Sequence, residues 1–162
     1  MAPALAGLAL GAALVAAAPA AGAERGAAAE EPPSTSPAAG PDLRPHALAT
    51  ELATLGPRVP GSAAHAEARA RLAVWMRRAG LEQIEVLPVD DAPGVANLTG
   101  VLPGDSGLEI VLGAHFDTVD GSPGAADNAA GCAVVLATAA RSSSLPRRHT
   151  LRVVLFDGEE RS

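Results

Sequence analysis

The amino-acid sequence predicts an α/β fold with a mixed, mostly parallel sheet flanked by helices. Near-continuous apolar runs of strand length occur at 108–114 and 151–156, and a helical apolar pattern at 128–141 lies between them. A strand, a helix and a second strand in this order predict a βαβ crossover with buried strands. The chain of 162 residues contains only 2 Phe and 1 Trp, so its core must consist mainly of Leu, Val and Ala.

The first 42 residues are expected to precede the folded domain. Residues 1–23 are apolar, rich in alanine and free of charge, and they end in a small-residue pattern typical of an export signal. No Lys or Arg precedes this run, which leaves a transmembrane anchor or a misassigned start as alternatives, but Pro19 and the weak hydrophobicity of alanine favour the export signal. Residues 24–42 are rich in Pro, Ala, Ser and Glu and predict a disordered linker. We therefore expect an exported protein, periplasmic or extracellular, with its domain at 43–162 and no membrane span in the mature chain.

The domain is predicted to begin with two helices. Pro45 starts a short helical pattern, and residues 56–62 follow it as a loop. Ser62 can cap the second helix, residues 63–80, in which Gly80 serves as the terminator. Three- and four-residue spacing predicts the face of this helix that packs on the core. Its members are Leu72, Trp75, Met76 and Ala79.

Three strands are predicted before the crossover, at 83–89, 96–102 and 108–114. The segment LPGDSG, 102–107, between the second and third strands is typical of a hairpin turn. Asn97 opens a formal glycosylation sequon, but we interpret it as a residue at the end of a strand.

Composition excludes some classes of function. The net charge of −6 and the pI near 5.1 leave no electrostatic footprint for nucleic acid. The single cysteine, Cys132, excludes an internal disulfide. We interpret this lone thiol as a small buried hydrophobic group rather than a nucleophile.

Side chains with metal-binding chemistry follow the predicted strands of the crossover or precede its helix. In an open α/β sheet ligands bind outside the carboxyl ends of the strands, so these side chains converge if the two strands are neighbours. One imidazole with several carboxylates suits Zn²⁺ or a similar divalent ion, and carboxylates can bridge two ions. The five residues are His115, Asp117, Asp127, Glu159 and Glu160.

Spacing suggests a division of roles among them. His115 and Asp117 lie two apart on a strand and point to one side, so Asp117 could orient the imidazole. Glu159 and Glu160 are consecutive, so their side chains diverge. One can bind metal while the other holds a proton of the attacking water, as metal-assisted hydrolysis requires.

The segments GAHFDTV, SPGAADNAAG and LRVVLFDGEE together resemble the zinc-dependent exopeptidases of metallopeptidase family twenty-eight, the aminopeptidase type. The upstream LGPRVPGS, the Arg-rich helix and ANLTGVLPG are similar to the lead-in of that family, so the resemblance runs from Leu48 to Glu160. It implies a mixed sheet flanked by helices and a site with two zinc ions in a complete domain. It also implies a peptide or small aminoacyl substrate that loses its amino-terminal residue.

The resemblance implies a role for each residue. His115 matches the histidine ligand of one zinc, Asp127 the carboxylate that bridges both, and Glu160 a ligand of the other. Glu159 matches the general base, and Asp117 the residue that supports His115.

Two departures from the family pattern are visible. Ala126 stands where many members carry a second acidic residue. The remaining Asp and His ligands of the family lie well beyond the glutamate pair, whereas this sequence ends at Ser162. We therefore expect the chain to be the amino-terminal part of such a domain, and to be inactive alone.

Three alternatives remain open. A glutaminyl cyclase has a similar fold with one zinc, but Asp117 is followed here by Thr118-Val119 rather than by the Ser-Lys of a cyclase. The carboxypeptidase and deacylase type usually has a longer insertion than the one between His115 and Asp127. A non-catalytic fragment is the third alternative, and the intact set of candidate ligands speaks against it.

Overall fold

The structure is a computed structural model that describes residues 43–161. The predicted export signal and linker lie outside these residues. In chain order the elements are α1 Pro45–Ala53, α2 Ala63–Arg78, β1 Glu82–Pro88, β2 Ala96–Leu102, β3 Glu109–His115, α3 Ala130–Ser143 and β4 Thr150–Phe156. Between residues 43 and 161, no helix has the length and apolar character needed to cross a membrane.

The described strands form a four-stranded mixed sheet with the order β1-β2-β4-β3. β3 and β4 are parallel neighbours, with His115 opposite Phe156, and α3 connects them. The predicted α/β class and βαβ crossover are therefore confirmed. The β1–β2 and β2–β4 pairings are antiparallel, so within the described strands the parallel share is smaller than expected.

The hairpin predicted between β2 and β3 is wrong, because β4 lies between these strands. The central place suits β4, whose side chains at Leu151, Val153 and Leu155 are buried. The connection passes over the start of β4 instead, where Ser106 N donates to Arg148 O at 2.8 Å. Turn residues mark a change of direction, but they do not tell a hairpin from a loop that spans an intervening strand.

The helices begin and end largely where the sequence predicts. The Ser62 hydroxyl accepts a hydrogen bond from His65 N and caps α2, and Gly80, with φ of 84°, ends it. α3 begins at Ala130 rather than at the predicted Asn128, because Asn128 has non-helical φ and ψ of −137° and 40°, and its side chain accepts from Gly131 N at 3.0 Å.

The core lies between the helices and one face of the sheet. The predicted inner face of α2 is buried, and it packs with Leu98, Leu102 and Leu136 in one apolar cluster. At the edge of the described sheet, β3 leaves Ile110 51% and Val111 56% exposed. Its outer backbone edge is therefore bordered by apolar side chains on both faces.

Candidate metal centre

The crossover brings the predicted site residues to one edge of the sheet. His115 is the last residue of β3, and Glu159 and Glu160 follow the parallel neighbour β4. One ligand atom from each of these three residues lies within 4.8 Å of the others. Asp127 is outside this set, although its Oδ1 lies 3.0 Å from His115 Nε2.

Asp117 contacts both halves of the site. Its fully buried carboxylate accepts hydrogen bonds from Glu159 N at 3.2 Å and from Glu160 N at 3.0 Å. Its Oδ1 also faces His115 Nδ1 at 3.5 Å. The buried Nδ1 makes no hydrogen bond among residues 43–161, so charge attraction links the pair. Asp117 therefore positions the glutamate turn as well as the imidazole.

Charged groups and hydrogen-bond donors of the site shift two pKa values. The facing Asp117 carboxylate raises the pKa of His115 more than burial lowers it, and with Asp127 and Glu159 the pKa reaches about 9. Burial alone would raise the pKa of Asp117. The neighbouring imidazole and the amides of Glu160 and Glu159 outweigh that effect, so the net pKa is lowered. Asp117 therefore stays an anion in the buried position.

Asp127 lies on a kinked turn, Ala125–Ala129, which one π-type hydrogen bond from Ala129 N to Gly124 O closes at 3.0 Å. Asp127, with φ of −122° and ψ of 92°, is not helical, and its peptide bond to Asn128 is cis. The Asp127 side chain is 76% exposed. This turn lifts the carboxylate out of the helix and toward His115.

The turn that carries the two glutamates is anchored through Asp157. Asp157 Oδ2 accepts from Ala96 N at 2.8 Å, and Asp157 N donates to Asn97 Oδ1 at 2.9 Å. Asn97, at the start of β2, thus fixes the backbone of Asp157 through its side chain. Gly158 adopts φ of 79°, and a Cβ there would lie 2.8 Å from Val95 Cγ1, so this position requires glycine.

Two buried residues that support the site were not singled out from the sequence. The first is Arg58, which is 0% exposed. Its guanidinium donates to Phe116 O at 2.7 Å, Pro123 O at 2.6 Å and Gly124 O at 3.2 Å. It therefore braces the loop between β3 and the kinked turn. Burial lowers the pKa of Arg58. The sequence of a loop has no periodicity from which such burial could be predicted.

The second is His65 on α2, which is 1% exposed. Its Nε2 lies 2.7 Å from Asp157 Oδ1, and its ring stacks on Phe116 with centroids 5.3 Å apart. A sequence signal did exist, since His65 lies three and seven residues before Ala68 and Leu72 on the apolar stripe of α2. A polar residue on such a stripe implies a buried partner.

Cys132 is a buried free thiol that donates to His115 O at 3.1 Å. Burial raises the pKa of this thiol to about 12. It is therefore a neutral core group, in agreement with the sequence interpretation.

The imidazole of His115 and three carboxylates lie at one edge of the sheet, and they fit a divalent ion of the zinc type. The carboxylates are those of Asp127, Glu159 and Glu160. Asp117 faces the Nδ1 side of the His115 ring and so orients it. This fold and donor set have the chemistry that metal-assisted hydrolysis requires. Residues 97–162 match the model of Peptidase family M28. This match confirms the family resemblance found in the sequence over residues 97–162.

Solved structures share the fold. A glutaminyl cyclase from Porphyromonas gingivalis has a TM-score of 0.62 and 23% identity, covering 72% of this chain and 46% of its own. A leucine aminopeptidase precursor from Bacteroides thetaiotaomicron has a TM-score of 0.61 and 22% identity, covering 74% and 48%. A candidate zinc-dependent exopeptidase from Bacteroides vulgatus has a TM-score of 0.60 and 26% identity, covering 74% and 48%. The chain spans less than half the length of each. No curated protein matches it in sequence.

Proposed function

We propose that this chain is the amino-terminal part of a zinc-dependent aminopeptidase. The observation that carries the proposal is the convergence of His115, Glu159 and Glu160, with Asp127 beside them, at the edge of a fold whose residues 97–162 match Peptidase family M28. The whole protein would remove amino-terminal residues from peptides or small aminoacyl compounds.

In this proposal His115, Asp127 and Glu160 hold the metal, with two ions in a complete domain. Zn²⁺, when bound, would polarise the scissile carbonyl and lower the pKa of a water. Glu159 is the general base. Its side chain is 59% exposed, and its Oε2 lies 3.9 Å from His115 Nε2. From there the carboxylate can accept a proton from the attacking water and return it to the leaving amine.

A glutaminyl cyclase is the second candidate, because the P. gingivalis cyclase has as similar a fold as the aminopeptidase precursor, with TM-scores of 0.62 and 0.61. The fold therefore does not separate the two reactions. The sequence Asp117-Thr118-Val119 favours the peptidase. Thr118 is 2% exposed, and its hydroxyl accepts from Arg58 N at 2.7 Å, so it braces the loop.

The test uses protein purified from its native host. Its intact mass is measured first, because a mass above 16.0 kDa would mean that more polypeptide completes the site. Zinc content, release of 4-nitroaniline from leucine 4-nitroanilide, and cyclisation of a peptide with amino-terminal glutamine follow. We expect stoichiometric zinc and anilide release that Glu159→Gln abolishes while Glu67→Gln, on the exposed side of α2, does not. Cyclisation alone would establish the second candidate, and absence of zinc would refute both.

Export to the periplasm or the exterior is also a proposal, supported by the apolar stretch at 1–23. Amino-terminal sequencing of the native protein tests it. Cleavage near residue 23 is expected, and retention of Met1 would contradict it.

A further inference from the structure

We propose that His65 is a positioning residue of the metal centre, which sets the relative placement of its two ligand-bearing segments. The first segment contains His115 and Asp117, and the second contains Glu159 and Glu160. His65 lies on α2 and belongs to neither.

The contacts of His65 reach both segments. Its ring stacks on Phe116, which lies between His115 and Asp117, at an interplanar angle of 14°. Its Nε2 is 2.7 Å from the carboxylate of Asp157, two residues before Glu159. Both side chains of this pair are at most 1% exposed. Its geometry is therefore protected from water.

The position of Asp157 determines where the turn that carries Glu159 and Glu160 begins. Asp157 uses its other oxygen and its own N–H to hold the first residues of β2. The amides of Glu159 and Glu160 are held by Asp117, next to the ring-stacked Phe116. One side chain thus fixes the start of the glutamate turn and also packs on the segment that anchors its end. If the His65 contact to Asp157 is lost, the start of the turn keeps only the bonds of Asp157 to the first residues of β2.

The structure also offers a matched control. His149 is another histidine with a short hydrogen bond, 2.6 Å between Nδ1 and Ser106 Oγ. It lies just before β4 begins, at the end of the strand opposite to the glutamates. Replacement of His149 should therefore leave the metal centre unchanged.

Two variants separate the contacts of His65. His65→Phe keeps a ring that can stack on Phe116 but removes Nε2, which bonds Asp157, together with Nδ1, which accepts from Gly61 N at 3.4 Å. His65→Gln keeps an amide N–H close to the place of Nε2 and loses the ring. The first readout is amide hydrogen exchange of Glu159 and Glu160, compared with Val153 in β4, and it requires no metal. The second readout is Zn²⁺ affinity, measured by competition with a chromophoric chelator.

We expect His65→Phe to speed exchange at Glu159 and Glu160 by about tenfold or more relative to Val153, since local opening differs from global unfolding. Its zinc affinity should fall by about 10- to 100-fold, as for lost supports of metal ligands. His65→Gln should restore most of both. His149→Phe should change neither.

Equal acceleration at all three amides in His65→Phe would mean that His65 only stabilises the fold, and the proposal would be overturned. Unchanged exchange would overturn it too. If His65→Phe does not fold, Asp157→Asn takes its place, and unchanged exchange at the two glutamates would again refute the idea. This inference depends on the proposed function only where zinc affinity is measured, because the amide exchange measurement requires no metal. Wild-type protein that binds no zinc but shows the exchange pattern would contradict the proposed function and keep the positioning role.

Discussion

Replacement of Arg58 by methionine should strongly destabilise the domain. Methionine has a similar length but donates no hydrogen bond. Phe116 O and Pro123 O, now bonded at 2.7 and 2.6 Å, would lose their guanidinium donors, whereas Gly124 O keeps a bond from Ala129 N. Each buried carbonyl left without a partner costs about 1–3 kcal/mol.

The two carbonyls together would cost about 2–6 kcal/mol, and relief from burying the cation offsets part of this. A net loss of about 3 kcal/mol in the free energy of unfolding follows. For a domain of this size it corresponds to a fall in Tm of about 10 °C. Arg58→Lys should lie between the two, because one ammonium cannot reach acceptors on both sides as the guanidinium does.

The assay is urea unfolding monitored by circular dichroism. The free energies of unfolding are compared between variants that have the same m-value. Arg78→Met is the matched control, because Arg78 is exposed on α2, and a change below about 0.5 kcal/mol is expected there. A loss below about 1 kcal/mol for Arg58→Met would refute the reasoning, because it would mean that water or a shifted donor satisfies the carbonyls.

Three further predictions follow from single positions. Gly124→Ala should lower the free energy of unfolding, measured by the same urea unfolding, by about 2 kcal/mol or more, since its Cβ would clash with the Thr118 side chain at φ of 55°. Gly61→Ala, with φ of 91° but open space around it, should cost less. Cys132, with a pKa of about 12, should not react with a thiol reagent at pH 8 in the folded protein, and rapid reaction without denaturant would contradict its burial. Asp117→Asn should weaken Zn²⁺ binding by about tenfold or more because it removes the anion behind the imidazole; unchanged affinity in chelator competition would exclude that role.

Much of the fold could be predicted because its signals are local. The apolar stripe of α2, the cap at Ser62 and the stop at Gly80 each depend on neighbours within a few residues. The same holds for the candidate ligands, since His115 and Glu160 are recognisable as polar residues that follow an apolar strand. The start of α3 was missed by two residues because the Asn128 side chain competes with the helix backbone.

The order of the strands and the supports of the site could not be predicted from such signals. The turn between β2 and β3 is rich in residues that also suit a hairpin, and only the packing of β4 in the centre shows that it is not one. Arg58 lies in a loop with no periodicity from which burial could be inferred.

The sequence by itself determined which residues carry metal-binding side chains and that they lie at the ends of strands or before a helix, because residue chemistry and periodicity are properties of short segments. Only the tertiary structure decided that β3 and β4 are neighbours, and so that His115 meets Glu159 and Glu160. It also decided that His65 pairs with Asp157, 92 residues away in the chain. Such contacts depend on how helices and strands pack, and packing joins residues whose sequence separation carries no information about their distance.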